Sequence, residues 1–151
     1  MSTPDCAKPK DLVEQFHKTY NLPIRKSCPT LKIDRLNMRM SLIIEEFTEL
    51  VEAVYGKNSS NILKNVTDKI FENDDNTRDI VETADALADL VYVIYGMSLE
   101  CGIDLNAVLK EVQASNMSKL GEDGKPIYRE DGKVLKGPNF FKPNIRKALG
   151  I

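Results

Sequence analysis

The chain has 151 residues, of which 42% are hydrophobic and 29% charged, and its formal net charge is −2. This balance excludes a disordered chain and argues against a general nucleic-acid-binding protein. No run of 18 apolar residues is present, so no membrane-spanning helix is expected, and residues 1–6 lack the pattern of a signal peptide. The three cysteines form no C-x-x-C pair, which predicts neither a disulfide scaffold nor a zinc site and favours the reducing cytoplasm.

The first half of the chain predicts three helices. Apolar residues spaced one, three and four apart predict an amphipathic helix over residues 10–21, ended by Pro23. A long second helix is expected to begin with an N-cap at Asp34 and to end at Gly56. Ser59 or Ser60 is the expected cap of a third helix that ends near residue 71.

The second half predicts two further helices and a tail. A fourth helix spans about residues 78–101 and is so apolar that it is expected to be largely buried, and a fifth runs from Asp104 to about residue 117. Asp131-Gly132 between two short apolar segments predicts a hairpin. The prediction is one all-α domain over residues 1–151, a bundle of four to five helices over about 9–118 with a small hairpin and extended tail over about 121–151.

Charge is segregated along the chain. No lysine or arginine lies between Arg39 and Lys57 or between Arg78 and Lys110, and residues 40–56 and 80–101 each carry −4. At 100° per residue, Glu45, Glu49 and Glu52 fall within about 60° of one another on the second helix. The acidic residues of the fourth helix occupy an arc of similar width: Glu82, Asp85 and Asp89. Two acidic stripes therefore lack basic neighbours on their own helices.

Carboxylates spaced in this way repel one another, at a cost of roughly 3 kcal/mol for two charges about 6 Å apart at an effective dielectric of 20. A divalent cation such as Mg²⁺ would relieve the repulsion, and two E-x-x-[ED] pairs on facing helices would supply four oxygen ligands. The alternatives are a solvated helix face, or, for Glu82, a capping box begun by Asp79. Two stripes without cations favour the metal site.

The segment R-M-S-L-I-I-E-E-F-T-E over residues 39–49, followed by E-T-A-D over 82–85, resembles the all-α nucleoside triphosphate pyrophosphohydrolases, the MazG-like superfamily. The resemblance extends to L-V-E-Q-F-H at residues 12–17 and S-N-M-S-K at residues 115–119. It implies a MazG-like helical bundle and a Mg²⁺-dependent enzyme, with Mn²⁺ as the other possible metal. Such enzymes cleave the α–β phosphate bond of a nucleotide to give the monophosphate and pyrophosphate.

The resemblance also implies roles for individual residues. Glu46, Glu49, Glu82 and Asp85 would hold the metal, and Glu45 would orient or deprotonate the attacking water. Glu52 and Asp89 would either support these ligands or be solvated. The candidate substrate-binding residues are Gln15, His17, Asn116, Lys119, Arg129, Lys133 and Lys136. For the last three, an exposed hairpin that only aids solubility is an equal alternative.

The favoured function is a house-cleaning enzyme that acts on dUTP or dCTP. A phosphoribosyl-ATP pyrophosphohydrolase and a non-catalytic helical oligomerisation module are the alternatives. The expected partners are a small nucleotide substrate and a second copy of the chain in a homodimer or higher homo-oligomer, since one pair of catalytic helices per chain leaves a limited core. No nucleic acid or membrane partner is expected.

Overall fold

The computed structural model describes residues 8–151 and contains six helices. They are α1 (Pro9–Thr19), α2 (Leu36–Tyr55), α3 (Lys57–Glu72), α4 (Ile80–Glu100), α5 (Leu105–Met117) and α6 (Ile145–Leu149). The predicted all-α class is therefore confirmed, and five of the six helices were predicted. The absence of a signal peptide and the state of Cys6 concern residues outside the described part of the chain.

The helix boundaries follow from local hydrogen bonding. Asp104 caps α5 as predicted, because its side chain accepts a hydrogen bond from the Ala107 amide. Gly56 ends α2 with a positive φ of 88°, a conformation that glycine adopts without strain. The predicted cap at Asp34 is wrong: α2 begins after Arg35, which makes no side-chain cap bond.

The start of α3 also differs from the prediction. Gly56 is the residue before the helix, so Ser59 and Ser60 lie inside its first turns and cap nothing. The Ser60 side chain is fully buried and points back to α2, where its Oγ donates to Glu52. The Ser60 hydroxyl therefore joins two helices and does not cap the start of α3.

The tail contains the predicted hairpin in reduced form. Tyr128 and Val134 form an isolated antiparallel bridge around the turn at Asp131-Gly132, and Leu135 donates its amide hydrogen to the Ile127 carbonyl. Helix α6 was not predicted, because five residues are too few to show a periodic pattern. Its cap is Asn144, whose side chain accepts from the Lys147 amide.

The described chain divides into two compact units. One comprises the described part of Met1–Ser27 together with Ala86–Ile151, and the other comprises Cys28–Asp85. In the first unit α5 contacts both α1 and α6, and in the second α2 packs on α3. The division falls within α4, and one domain over residues 1–151 stays a prediction.

Helix α4 is not buried as expected. Val81 is 71% exposed, Tyr92 81% and Leu99 79%, and Ser98 is its one buried residue in the described chain. No single helix within residues 8–151 is long and apolar enough to cross a membrane; α4 and α5, bent by 115°, meet that test of length and composition only as a pair. The thiols of Cys28 and Cys101 are free and exposed, and the cytoplasmic location stays a prediction.

Candidate functional site

The acidic residues of α2 lie on its exposed surface. Glu45, Glu46 and Glu49 are exposed, while Thr48 is buried and donates its hydroxyl hydrogen to the Ile44 carbonyl. The 20-residue helix places Glu45 and Glu49 about one turn apart, with Glu46 next to Glu45. Their side chains are accessible to a cation or a substrate from solvent.

Glu52 differs from the other glutamates of α2. Its Oε2 accepts hydrogen bonds from Ser60 Oγ at 2.7 Å and Lys64 Nζ at 3.1 Å, both on α3. These two bonds, with the positive charge of Lys64, lower the pKa of the Glu52 carboxyl. Glu52 therefore joins α2 to α3, and its support of the metal ligands stays a prediction.

The acidic residues at the start of α4 are held by a capped first turn. Asp79 Oδ1 accepts from the amides of Val81 and Glu82, and its carbonyl accepts from the Thr83 hydroxyl. Glu82 lies in this turn and Asp85 in the next, and both are exposed. The Asp79 half of the foreseen capping box is therefore present, and metal binding by the Glu82 carboxylate stays a prediction.

The structure does not gather these carboxylates into a closed metal site. Within residues 8–151, no group of three or more histidine, cysteine, aspartate or glutamate side chains is arranged to hold a metal ion. Four carboxylates are nonetheless a suitable donor set for Mg²⁺ or Mn²⁺, which both prefer oxygen ligands. The ligand assignment of Glu46, Glu49, Glu82 and Asp85 therefore stays a prediction.

The predicted substrate-binding residues Gln15 and Asn116 lie where α1 meets α5. Gln113 Nε2 donates to Gln15 Oε1 at 2.8 Å and to the Leu12 carbonyl at 3.1 Å. The fully buried Tyr20 donates its hydroxyl hydrogen to the Asn116 carbonyl at 2.7 Å. The backbone of Asn116 is thus fixed by α1, while Gln15 is engaged in the packing between the helices.

Lys119 and His17 lie at the edges of this junction. The Lys119 ammonium is 5.9 Å from the centre of the Phe16 ring, which itself packs on Tyr20 with ring centres 4.3 Å apart. His17 Nδ1 is 2.9 Å from the Pro23 carbonyl, so the imidazole holds the segment that follows α1. Lys119 is brought together with Asn116 on one side of α1, and His17 turns to the segment after the helix.

The three predicted cations of the tail have different surroundings. Arg129 forms a paired contact with Asp131 inside the hairpin, at 3.0 and 2.5 Å, and this contact lowers the pKa of the Asp131 carboxyl. The Lys133 amide donates to the same carboxylate. The Lys136 ammonium lies 4.6 Å from the centre of the Phe140 ring. Arg129 is therefore partly neutralised within its own turn.

Two tyrosines and a serine that were not among the predicted site residues organise the junction. Tyr128 donates its hydroxyl hydrogen to the Tyr20 carbonyl at 2.7 Å, and Ser115 Oγ donates to the Phe141 carbonyl at 2.7 Å. Burial raises the pKa of the Tyr20 hydroxyl, an effect that the nearby Lys119 backbone amide partly offsets. The motif S-N-M-S-K at residues 115–119 indicated this region in the sequence. Contacts between residues about 100 positions apart, such as that of Tyr20 with Tyr128, leave no pattern in the sequence that would predict them.

Comparisons with known proteins identify the family of this chain. The sequence profile of the phosphoribosyl-ATP pyrophosphohydrolase family matches residues 13–116. A crystal structure of a candidate NTP pyrophosphohydrolase from Exiguobacterium sp. 255-15 is similar over 98% of this chain and 94% of its own, with a TM-score of 0.67 and 25% sequence identity. No curated protein sequence shows a significant match. The chain thus belongs to the phosphoribosyl-ATP pyrophosphohydrolase family, and it is a pyrophosphohydrolase with the MazG-like helical fold that its residues resemble.

Proposed function

We propose that the chain hydrolyses a nucleoside triphosphate, dUTP or dCTP, at the α–β phosphate bond to release the monophosphate and pyrophosphate. The observation that carries this proposal is the pair of exposed acidic stripes on α2 and α4 within a pyrophosphohydrolase fold. A triphosphate is itself strongly negative, so the carboxylates can act on it only through a bound cation.

Mg²⁺ is the proposed metal, with Mn²⁺ as the substitute, and Glu46, Glu49, Glu82 and Asp85 would hold it. When bound, such a metal neutralises phosphate charge and acidifies coordinated water. The exposed Glu45, adjacent to Glu46 in the chain, is the proposed base that orients the attacking water. No nucleophilic side chain is required, because phosphoryl transfer depends mainly on positioning and charge neutralisation.

The tail supports a nucleoside triphosphate over phosphoribosyl-ATP as the substrate. The family profile ends at residue 116 and leaves the tail unmatched, whereas the similar NTP pyrophosphohydrolase structure covers 98% of the chain. Residues 117–151 contain eight lysines and arginines but only four aspartates and glutamates. This positive segment suits the far end of a triphosphate. Phosphoribosyl-ATP stays the alternative substrate because the family profile carries that name.

We also propose that the enzyme works as a homodimer or higher homo-oligomer. Large apolar side chains on α2 and α4 are 40% exposed or more in the single chain: Met40, Phe47, Leu50, Val54, Tyr55, Val81, Leu87, Leu90, Val91, Tyr92, Val93, Ile94, Met97 and Leu99. Exposed apolar surface on this scale is typical of an association surface. These helices also carry the acidic stripes, so a second copy packed there would complete the site.

The deciding experiment is product analysis with the purified protein. Each nucleoside triphosphate and phosphoribosyl-ATP are incubated with Mg²⁺, with Mn²⁺ and with EDTA, and the products are separated by anion exchange. We expect metal-dependent release of pyrophosphate and monophosphate, fastest with dUTP or dCTP. Release of diphosphate and phosphate would contradict the proposed bond, and preferential cleavage of phosphoribosyl-ATP would contradict the proposed substrate.

A further inference from the structure

The end of α5 and the C-terminal tail are joined at three points. The Ser115 hydroxyl donates to the Phe141 carbonyl at 2.7 Å, and the Phe141 amide donates to Ser118 Oγ at 3.1 Å. The Gly137 amide donates to the Lys119 carbonyl at 3.0 Å. Each contact joins the tail to the segment 115–119, so the conformation of that segment depends on residues 18 to 26 positions further along the chain.

Gly137 makes the closest approach. A β-carbon at this position would lie 2.0 Å from the Leu120 carbonyl oxygen and 2.9 Å from that of Lys119. Both obstacles are backbone atoms, so any larger residue would have to push the tail away from the end of α5. The position therefore requires the absence of a side chain.

The segment held in this way carries Lys119. Its backbone is bound by the tail on one side and lies beside the Tyr20 hydroxyl on the other, and its ammonium lies over Phe16. Tyr128, also from the tail, donates to the Tyr20 carbonyl and so supports the same residues from α1. The described contacts thus fix the backbone from which the Lys119 side chain extends.

We propose that the tail is a positioning clamp for Lys119 and that Gly137 is its key residue. The clamp holds the Lys119 ammonium where it can bind a phosphate of the nucleotide, so it controls substrate affinity and leaves the chemical step unchanged. This inference rests on the proposed function. It adds a role for residues 121–151, which the family profile does not cover.

The test is a double-mutant cycle measured by steady-state kinetics with the preferred triphosphate. Lys119→Ala is expected to raise KM about tenfold, the size typical for loss of one charge-assisted hydrogen bond, with kcat within about twofold. Gly137→Ala should raise KM by about fivefold to tenfold, again with little change in kcat. In the Lys119→Ala background, Gly137→Ala should then have almost no further effect, because both changes remove the same interaction.

The matched control is Gly124→Ala, a second glycine-to-alanine change in the tail. Gly124 has a φ of +71° and open space around its β-carbon position, so the change strains the tail without pushing on the end of α5. Ser118→Ala is a milder variant, since it removes the acceptor of the Phe141 amide without added bulk. We expect an unchanged KM for Gly124→Ala and a smaller rise for Ser118→Ala. If the double variant raises KM by the product of the two single effects, Gly137 and Lys119 act independently and the proposal is overturned.

Hydrogen exchange separates this proposal from the proposed function. In Gly137→Ala, the amides of Gly137 and Phe141 should exchange faster, because they donate to the Lys119 carbonyl and to Ser118 Oγ and these contacts are broken. Unchanged exchange overturns the clamp whatever the activity, and faster exchange with an unchanged KM overturns its role in affinity. If the wild type cleaves no triphosphate, the proposed function fails, and affinity for inorganic pyrophosphate, measured by calorimetry in the same variants, decides the clamp.

Discussion

The α1–α5 junction and the helices α2 and α4 use their side chains in opposite ways. At the junction, buried or half-buried groups find partners within the chain: Tyr20 binds Asn116, Gln113 binds Gln15, and Ser115 binds the tail. On α2 and α4, large apolar side chains and carboxylates face solvent. The first region is complete in a single chain, whereas the second has the composition of a surface that another molecule covers.

This difference suits different roles for the two regions. Side chain–backbone hydrogen bonds between distant segments give the junction a single geometry, which suits recognition of one nucleotide. The carboxylates of α2 and α4 repel one another until a cation binds, and the apolar residues beside them favour association. The proposed metal ligands and the exposed apolar side chains are carried by the same two helices, so a change that weakens assembly should also lower activity.

The largest expected effect is on catalysis. Replacing Glu49 or Asp85 with alanine should lower kcat by at least about 10³-fold, because each change removes a proposed metal ligand from a reaction driven by charge neutralisation. Circular dichroism and thermal melting should change little, since both side chains are exposed. Glu100→Ala, at the exposed end of α4, is the matched control and should retain full activity. Full activity in both variants would refute the proposed ligand set.

The next effect concerns assembly. Val91→Lys on α4 and Val13→Lys on α1 form a matched pair, because the two valines are 55% and 56% exposed in the single chain. Burying an unpaired ammonium in an interface is unfavourable by several kcal/mol. Val91→Lys should therefore weaken self-association by at least about 100-fold in sedimentation experiments and reduce activity with it. Val13→Lys should alter neither property, and equal effects of both variants would contradict an interface on α4.

Local signals in the sequence predicted most of the fold. Apolar periodicity located α1, α2, α4 and α5 to within a few residues, and Asp104 was identified as a cap from its place before an apolar run. Ser60 shows the limit of such signals, because a serine near a helix start can equally cap that helix or bind a neighbouring one. Burial of α4 was predicted from its composition, which does not state whether the covering surface belongs to the same chain.

The candidate site likewise has features that local sequence signals predict and contacts that form only on folding. Charge segregation drew attention to the carboxylates of α2 and α4, since a stripe without basic neighbours is visible in the sequence. The role of Glu52 could not be separated from theirs, because its partners Ser60 and Lys64 become neighbours only when α3 folds back on α2. Arg129 was predicted to bind substrate, and its ion pair with Asp131, two residues away, forms only when the hairpin turn brings the two side chains together.

The smallest expected effect concerns this contact between α2 and α3. Ser60→Ala should lower the free energy of unfolding by about 1 kcal/mol at neutral pH, because it removes one hydrogen bond from a buried hydroxyl. The pKa of Glu52 is lower in the folded chain than its ordinary value of 4.5, so its stabilising effect is complete above that value. This effect is lost as the pH falls through the lower folded pKa.

Urea denaturation of wild type and Ser60→Ala should thus show a difference in the free energy of unfolding that narrows below pH 4.5. The corresponding difference between wild type and Lys64→Met, which removes the exposed partner of Glu52, should narrow less. If the difference between wild type and Ser60→Ala does not depend on pH, the Glu52 carboxylate is not the group that Ser60 stabilises.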